Sequence, residues 1–285
     1  MKFAMSNIAW APEERLAAYT AMAGGGLTGL EIAPGLFFHK SADPFDPGEN
    51  EAREALTEMA DHGLSLVSMQ SLLFGVQGAG LFEGEAARGA FINGMERAID
   101  LAGRFGIPNL VFGSPAQRRV PSGMAMKRAI GEAAEIFRKL GDRAAQAGTC
   151  ITMEPNPAAY GTNFLNTLEE VVEFTAIVGH ASIAVILDLG AMHMNSVFEA
   201  VPNRLKTLTP MLNHVHVSEP ELSPAPKDAQ GLVPILASLD ANGYTKAVSI
   251  EMRRDNSGMK AVSSSIASLG NAARAARLEW EDAHA

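Results

Sequence analysis

The feature that most constrains the fold is a regular alternation of short apolar, β-branched runs with longer stretches of helical periodicity. The short runs are KFAMSNIAW, LTGLEIA, LSLVSMQSL, PNLVFGS, CITMEPN, IAVILDLG, NHVHVSE and KAVSIEMR. The longer stretches have apolar residues at spacings of three and four, as amphipathic helices do. They are PEERLAAYTAMA, ENEAREALTEMADH, GEAARGAFINGMERAIDLAGRF, GMAMKRAIGEAAEIFRKLGDRAAQA, TLEEVVEFTAIV, FEAVPNRLKTL, AQGLVPILASLDAN and KAVSSSIASLGNAARAARLEW. The alternation predicts eight strands, each followed by a helix.

The passages from helix to strand carry the expected stop signals. Six of the seven have a glycine where a helix C-cap needs one, and the seventh has a proline; these residues are Gly24, Gly63, Gly106, Gly148, Gly179, Gly243 and Pro210. Strands separated by helices imply right-handed crossovers and a parallel sheet. We predict an α/β fold, a closed (β/α)8 TIM barrel in a single domain over residues 1–285. An open doubly wound sheet is the alternative, and no G-x-G-x-x-G follows the first strand to favour it.

Composition narrows the function classes. The chain has 285 residues, 47% of them hydrophobic and 19% charged, which is typical of a globular domain with a large core. A net charge of -9 argues against a nucleic-acid partner. The lone Cys150 gives no disulfide framework, and no apolar run approaches the roughly 18 residues that span a bilayer. The start MKFAMSNIAWAPEE has no secretory pattern, so we predict a cytoplasmic protein without a membrane partner.

Ionisable residues stand near the carboxyl ends of four consecutive predicted strands. ITMEPN carries Glu154, VILDLG carries Asp188, NHVHVSE carries His214 and His216, and VSIEMR carries Glu251. In a (β/α)8 barrel the strand ends and the loops after them form the active site. Carboxylates brought together there cost several kcal/mol unless a cation compensates them. The pattern therefore predicts a metal site.

The donor types indicate the class of ion. Three carboxylates and one imidazole suit one divalent ion, with Mn²⁺ favoured and Mg²⁺ or Co²⁺ as close alternatives. Zn²⁺ stays open, although it more often binds His or Cys. Side chains alternate along a strand, so His214 and His216 share a face. We predict His216, nearer the strand end, as the ligand and His214 as a buried histidine of the barrel interior.

At these residues the sequence resembles the xylose-isomerase-like TIM barrel superfamily, whose members include ketose 3-epimerases, hydroxypyruvate isomerases, inosose dehydratases and endonuclease IV. The resemblance rests on MEPN, LDLGAMHMN, HVHVSE and IEM, with LVFGSP as a weaker marker. It implies that Glu154, Asp188, His216 and Glu251 bind one divalent metal ion. It also implies that the two glutamates, Glu154 and Glu251, transfer protons to and from the substrate.

Three positions depart from the ketose 3-epimerase pattern. Ala191 stands where those enzymes have a histidine, Tyr160 where they have a glutamate, and Leu222 where they have an arginine. These departures argue against a ketohexose 3-epimerase in particular. Endonuclease IV is disfavoured as well, because SMQS and VFGSP, at the ends of strands three and four, supply no imidazole.

Several residues near the strand ends are candidates for contact with substrate. Trp10, at the end of strand one, could wall the pocket; His193 could replace the missing histidine; and Arg253 could bind a carboxylate or phosphate. We expect Arg118 and Arg119, in PAQRRVP after strand four, to be solvated loop charges, with anion binding as the alternative. Glu219 is either a partner of His216 or the N-cap of the next element.

The leading hypothesis is a metal-dependent sugar isomerase or epimerase. It would act on a small polyhydroxy carbonyl compound by glutamate-mediated proton transfer through an enediolate. The runner-up is a dehydratase of a keto-polyol of the inosose type, which shares the first proton abstraction. A non-catalytic sugar-binding barrel is the alternative from another class. The expected partner is a small sugar or polyol, and assembly into a homo-oligomer stays open.

Overall fold

The eight predicted strands are all present in a computed structural model, which describes residues 1–278. They form a closed parallel barrel in chain order, which confirms the predicted (β/α)8 fold. The strands are β1 Lys2–Ser6, β2 Gly29–Ile32, β3 Ser65–Met69, β4 Asn109–Phe112, β5 Cys150–Met153, β6 Ile183–Asp188, β7 Leu212–Ser218 and β8 Ala247–Glu251.

Helices follow the strands as the periodicity predicts. They are α1 Arg15–Gly24, α2 Pro34–Phe37, α3 Glu49–Ala60, α4 Glu85–Phe105, α5 Met126–Ala147, α6 Leu168–Val178, α7 Leu189–Met194, α8 Val201–Leu208, α9 Ala229–Ala241 and α10 Met259–Ala275. The short helices α2 and α7 were not predicted. The last predicted helix, 260–280, extends past the described residues at 279 and 280. Within the described part, no helix has the length and apolarity needed to cross a bilayer.

The chain divides into two compact units, and the first comprises residues 1–67 and the segment from Asp188 onward. Here β1 pairs in parallel with β2 and with β8, and β7 pairs with β8. Small residues permit the close approach of these strands. A Cβ on Gly29 would lie 2.8 Å from the Cβ of Ala4 and 3.0 Å from Cγ1 of Val67, so only glycine fits at this point of β2.

The second unit, Ser68–Leu187, is built on a chain of aromatic rings. Phe112 of β4 packs against Phe91 of α4 and Phe137 of α5, with ring centroids 5.6 and 5.0 Å apart. Phe137 in turn meets Phe174 of α6 at 5.8 Å. The Phe91–Phe112 and Phe137–Phe174 pairs meet edge to face, an arrangement that stabilises a core beyond its buried area. The three ring contacts join α4 and α5 to β4, and α6 to α5.

The glycine stop signals are confirmed at three helix ends, whereas Gly63 and Gly243 lie just beyond the C-cap residues Asp61 and Asn242, with left-handed φ values of 72° and 76°. Gly106, Gly148 and Gly179 cap their helices in the left-handed conformation that glycine adopts without a steric cost. Gly24 does not serve this purpose, because it is the last residue of α1. The left-handed residue after α1 is Gly26, with a φ of 80°.

Candidate metal centre

Strand β7 directs two imidazoles to the same side, as its alternation requires. His214 and His216 are both completely buried, and their rings meet edge to face with centroids 5.1 Å apart. Burial of His214 confirms its predicted place in the interior. A buried imidazole needs polar partners, because an unsatisfied ring nitrogen costs free energy.

The partner common to both rings is Glu31 of β2, a carboxylate without any solvent exposure. Its Oε2 lies 2.8 Å from Nε2 of His214 and 3.1 Å from Nε2 of His216. Its Oε1 lies 3.1 Å from the same Nε2 of His216. Burial by itself would raise the pKa of Glu31, but the two imidazoles outweigh burial and hold this pKa well below its usual value.

The other ring nitrogen of His216 faces two of the predicted ligands. Its Nδ1 lies 3.2 Å from Oε2 of Glu251 and 3.5 Å from Oδ2 of Asp188. Ligand atoms of these three side chains all lie within 4.8 Å of one another. Carboxylate oxygens with one imidazole nitrogen are a donor set that divalent ions bind. The donor set thus fits a divalent metal ion, and three of the four predicted ligands come together.

Asp188 is held in place by the backbone and by a hydroxyl group. It ends β6 and caps α7, where its Oδ1 accepts the Ala191 N–H at 2.5 Å. Its Oδ2 accepts the Ser218 hydroxyl at 2.7 Å, and Ser218 Oγ accepts the Gly190 N–H at 2.8 Å. A Cβ on Gly190 would lie 3.0 Å from the carbonyl oxygen of Glu219, so glycine permits this close packing. Ser218 and α7 therefore fix the orientation of the carboxylate.

We expect Ser218→Ala to reduce both the free energy of unfolding and the affinity for divalent ions. The variant removes a hydrogen bond to a charged group, which costs about 1–3 kcal/mol, and leaves the Gly190 N–H without this acceptor. Urea unfolding and Mn²⁺ titration would measure the two effects. The matched control is Ser249→Ala, because this buried hydroxyl makes no hydrogen bond to any residue that the structure describes. Equal behaviour of the two variants would contradict the role given to Ser218.

Glu154 belongs to the second unit and directly follows β5. It is half-buried, and its Oε2 accepts a hydrogen bond from Nδ2 of Asn156 at 2.8 Å. A Cβ on Gly113 would lie 2.3 Å from the same oxygen, so the carboxylate occupies space that only a glycine leaves open. This contact gives a physical reason for the glycine in LVFGSP at the end of β4.

The expectation for Arg118 is wrong, because this side chain is completely buried instead of solvated. Its Nη2 donates to the carbonyl oxygen of Glu154 at 2.8 Å and to that of Leu165 at 3.3 Å. Burial lowers the pKa of Arg118 to about 10, although the Glu154 carboxylate acts in the opposite direction. Arg119 is exposed as expected. Arg118 therefore supports the backbone that carries Glu154.

The three candidate substrate contacts have different surroundings. Trp10 does not end a strand, because β1 stops at Ser6; the indole is 3% exposed and packs edge-on against Tyr19. His193 is half-buried in α7, and its ring stacks on Phe198 with centroids 3.8 Å apart. Arg253 is exposed and lies two residues beyond β8.

Glu219 stands at the N-cap of the next element, the 3-10 turn Pro220–Leu222, which is the second of the two alternatives stated for it. Glu219 is buried, but its Oε1 accepts the backbone N–H of Lys227 at 2.8 Å and no cap is formed by its side chain. Beyond Pro220, Glu221 and Leu222 have left-handed φ values of 59° and 54°. The carbonyl oxygen of Leu222 accepts the Arg253 N–H at 2.9 Å, which joins the loops after β7 and β8.

The chain is therefore a closed (β/α)8 barrel with a cluster of carboxylates and one imidazole that could hold a metal ion. The sequence matches the family described as xylose isomerase-like TIM barrel over residues 20–276, and the chain belongs to this family. No curated protein matches the chain in sequence.

Solved structures with the same fold include several sugar epimerases. The apo form of 3-keto-D-glucoside 4-epimerase YcjR from E. coli has a TM-score of 0.74 at 18% identity, covering 94% of this chain and 98% of its own. A D-psicose 3-epimerase studied in the presence of D-fructose has a TM-score of 0.75 at 18% identity, with 97% and 99% coverage. An L-ribulose 3-epimerase has a TM-score of 0.75 at 18% identity, with 97% and 96% coverage. At this identity the likeness shows the fold alone.

Proposed function

We propose that the chain is a divalent-metal-dependent isomerase or epimerase of small polyhydroxy carbonyl compounds such as sugars. The observation that carries the proposal is the approach of His216 Nδ1 to the carboxylates of Glu251 and Asp188, at 3.2 and 3.5 Å. Sugar epimerases among the structural neighbours support the reaction class. Membership of the family supports an enzyme with its active site at the strand ends.

Glu154 is the proposed fourth ligand. It stands at the end of β5, and β5 pairs in parallel with β6 with Thr152 opposite Ala184 and Met153 opposite Val185. Parallel pairing directs the carboxyl ends of both strands, where Glu154 and Asp188 stand, to the same edge of the sheet. Arg118 binds the backbone carbonyl oxygen of Glu154, and Asn156 donates to its carboxylate. Both contacts fix the position of this side chain, as a metal ligand requires.

Proton transfer is assigned to Glu154 and Glu251. One carboxylate removes the proton from the carbon beside the substrate carbonyl, and the electron pair moves to the carbonyl oxygen to form an enediolate. The second carboxylate returns a proton to the opposite face of that carbon, which gives the epimer. For the isomer, the proton goes to the former carbonyl carbon, while the hydroxyl proton on the first carbon moves to the enediolate oxygen and a carbonyl group forms on the first carbon. A bound divalent ion would supply the positive charge that stabilises the enediolate oxygens.

Further parts of the assignment rest on the sequence and stay predictions. These predictions are Mn²⁺ as the native ion, a cytoplasmic location, homo-oligomer formation, and the lack of nucleic-acid and membrane partners. His193 and Arg253 are proposed substrate contacts, since each lies just after a strand that carries a proposed ligand. Trp10 keeps this role only as a prediction, because its ring is buried against Tyr19.

The test is hydrogen exchange at substrate carbon in D₂O. The protein is stripped with a chelator, reloaded with Mn²⁺, Mg²⁺, Co²⁺ or Zn²⁺, and incubated with a panel of ketoses and keto-polyols. We expect loss of the NMR signal of the hydrogen beside the carbonyl only in metal-loaded samples. Loss of water from the compound would instead identify a dehydratase. Bound metal without exchange in any compound would argue for a non-catalytic sugar-binding barrel.

A further inference from the structure

Glu31 is the one carboxylate of the candidate metal centre to which the proposed chemistry gives no role. It lies in the middle of the buried strand β2, and its two oxygens face the Nε2 atoms of two imidazoles. A completely buried carboxylate costs free energy unless polar partners compensate it, and here the two imidazoles do so. The contacts of Glu31 with the imidazoles point to His216 as the residue that benefits.

An imidazole ring can turn over about its Cβ–Cγ bond, and strand alternation does not decide between the two orientations. The turned ring of His216 would present carbon atoms both to Glu31 and to Glu251 with Asp188. The orientation in the structure presents Nε2 to Glu31 and Nδ1 to the other two carboxylates. An acceptor behind the ring therefore selects the orientation in which a nitrogen faces the metal centre.

The same contact selects the tautomer. A neutral imidazole has one N–H group, and the ring nitrogen without hydrogen is the one that binds a metal ion. A carboxylate has only acceptor oxygens, so Glu31 favours hydrogen on Nε2 and leaves the lone pair on Nδ1. Histidine ligands commonly donate their second ring N–H to a carboxylate, which fixes the ring and raises its basicity.

We infer that Glu31 is the positioning residue of His216, which fixes the ring orientation and Nε2–H tautomer that aim Nδ1 at the metal centre. This inference rests on the proposed function. His214 receives a role as well, because its Nε2 at 2.8 Å from Oε2 holds the carboxylate from a second direction. Contacts with two imidazoles restrict the Glu31 carboxylate more than a contact with one of them would.

The variant Glu31→Gln tests the inference with little change in size. A glutamine has no negative charge, and its N–H₂ group replaces one of the two oxygens that both face Nε2 of His216, so it selects hydrogen on this nitrogen less strongly. We expect the dissociation constant for Mn²⁺, measured by electron paramagnetic resonance, to rise about 10–100-fold. The matched control is Glu219→Gln, a buried carboxylate that accepts from the Lys227 backbone, and here the constant should not change.

A second readout needs neither activity nor a variant of Glu31. Selective ¹⁵N labelling of histidine reports the tautomer of His216, assigned by the signals absent from His216→Gln. We expect hydrogen on Nε2 in wild-type protein loaded with diamagnetic Mg²⁺ and in metal-free protein at mildly alkaline pH. Hydrogen on Nδ1 in wild-type protein would overturn the inference, even if Glu31→Gln failed to fold.

The outcomes separate this inference from the proposed function. If wild-type protein binds metal and Glu31→Gln binds it equally well with the same tautomer, the inference is wrong and the metal centre stands. If wild-type protein binds no divalent ion, the metal centre is wrong, and the tautomer in metal-free protein still decides the role of Glu31.

Discussion

Glu154→Gln and Glu251→Gln are each expected to lower the rate of substrate C–H exchange by about 10²–10⁴-fold, the usual contribution of a general acid or base. Glutamine keeps the size of the side chain and one acceptor oxygen, but it takes up no proton. Exchange in D₂O measures proton abstraction directly, whether or not product is released. Glu219→Gln is the control, because its buried carboxylate holds a loop and has no proposed part in proton transfer.

The two variants should also differ from each other if the carboxylates act on opposite faces of the substrate. Glu154→Gln would stop exchange that starts from one epimer, and Glu251→Gln would stop exchange that starts from the other. Mn²⁺ affinity measured on the same proteins separates a lost base from a lost ligand. Full exchange activity in a variant that still binds metal would remove that glutamate from the proposed mechanism.

The barrel could be predicted because each strand and each following helix has its own hydrophobic pattern in the sequence. A strand such as IAVILD is a continuous apolar run, and the helices after the strands show their own periodicity. The sequence indicates the ends of strands and helices less clearly than their presence. KFAMSNIAW reads as one strand, yet β1 stops at Ser6, whose hydroxyl accepts the N–H of Ile8 and begins a short 3-10 turn. The position of Trp10 was missed for this reason.

The clustering of residues in the candidate metal centre could be predicted where they stand near strand ends, and less so where they only support other residues. Asp188, His216 and Glu251 stand out because ionisable residues interrupt apolar runs at equivalent places. Glu31 interrupts the run LTGLEIA in the same way, and this signal was missed. Its partner His216 is 185 positions away, so only the folded chain brings the two together. Likewise, nothing in the sequence predicts a role for Ser218, because its hydrogen bond to Asp188 forms only in the folded chain.

The burial of Arg118 also depends on partners that are distant in the sequence, so the sequence does not predict it. In PAQRRVP two adjacent arginines look alike, yet Arg118 is completely buried and Arg119 is exposed. The difference arises from partners far along the chain, the carbonyl oxygens of Glu154 and Leu165. The guanidinium also lies 5.8 Å from the centre of the Phe112 ring, within the range of a cation–π contact.

These contacts make Arg118→Ala the substitution with the largest expected effect on stability. It leaves two carbonyl oxygens without this donor and a cavity where the long side chain was, which together should lower the free energy of unfolding by about 3–5 kcal/mol. Removal of a buried cation offsets part of this cost, since burial already lowers the pKa of Arg118 to about 10. Unfolding in urea, followed by circular dichroism, measures the change.

The neighbouring arginine provides the matched control. Arg119→Ala removes the same side chain from an exposed position and should alter the free energy of unfolding by no more than about 0.5 kcal/mol. Arg118→Met is informative in addition, because methionine fills much of the space and leaves mainly the loss of the two hydrogen bonds. If Arg118→Ala and Arg119→Ala unfold at the same urea concentration, Arg118 does not hold the end of β5, and the support proposed for Glu154 must come from other contacts such as that with Asn156.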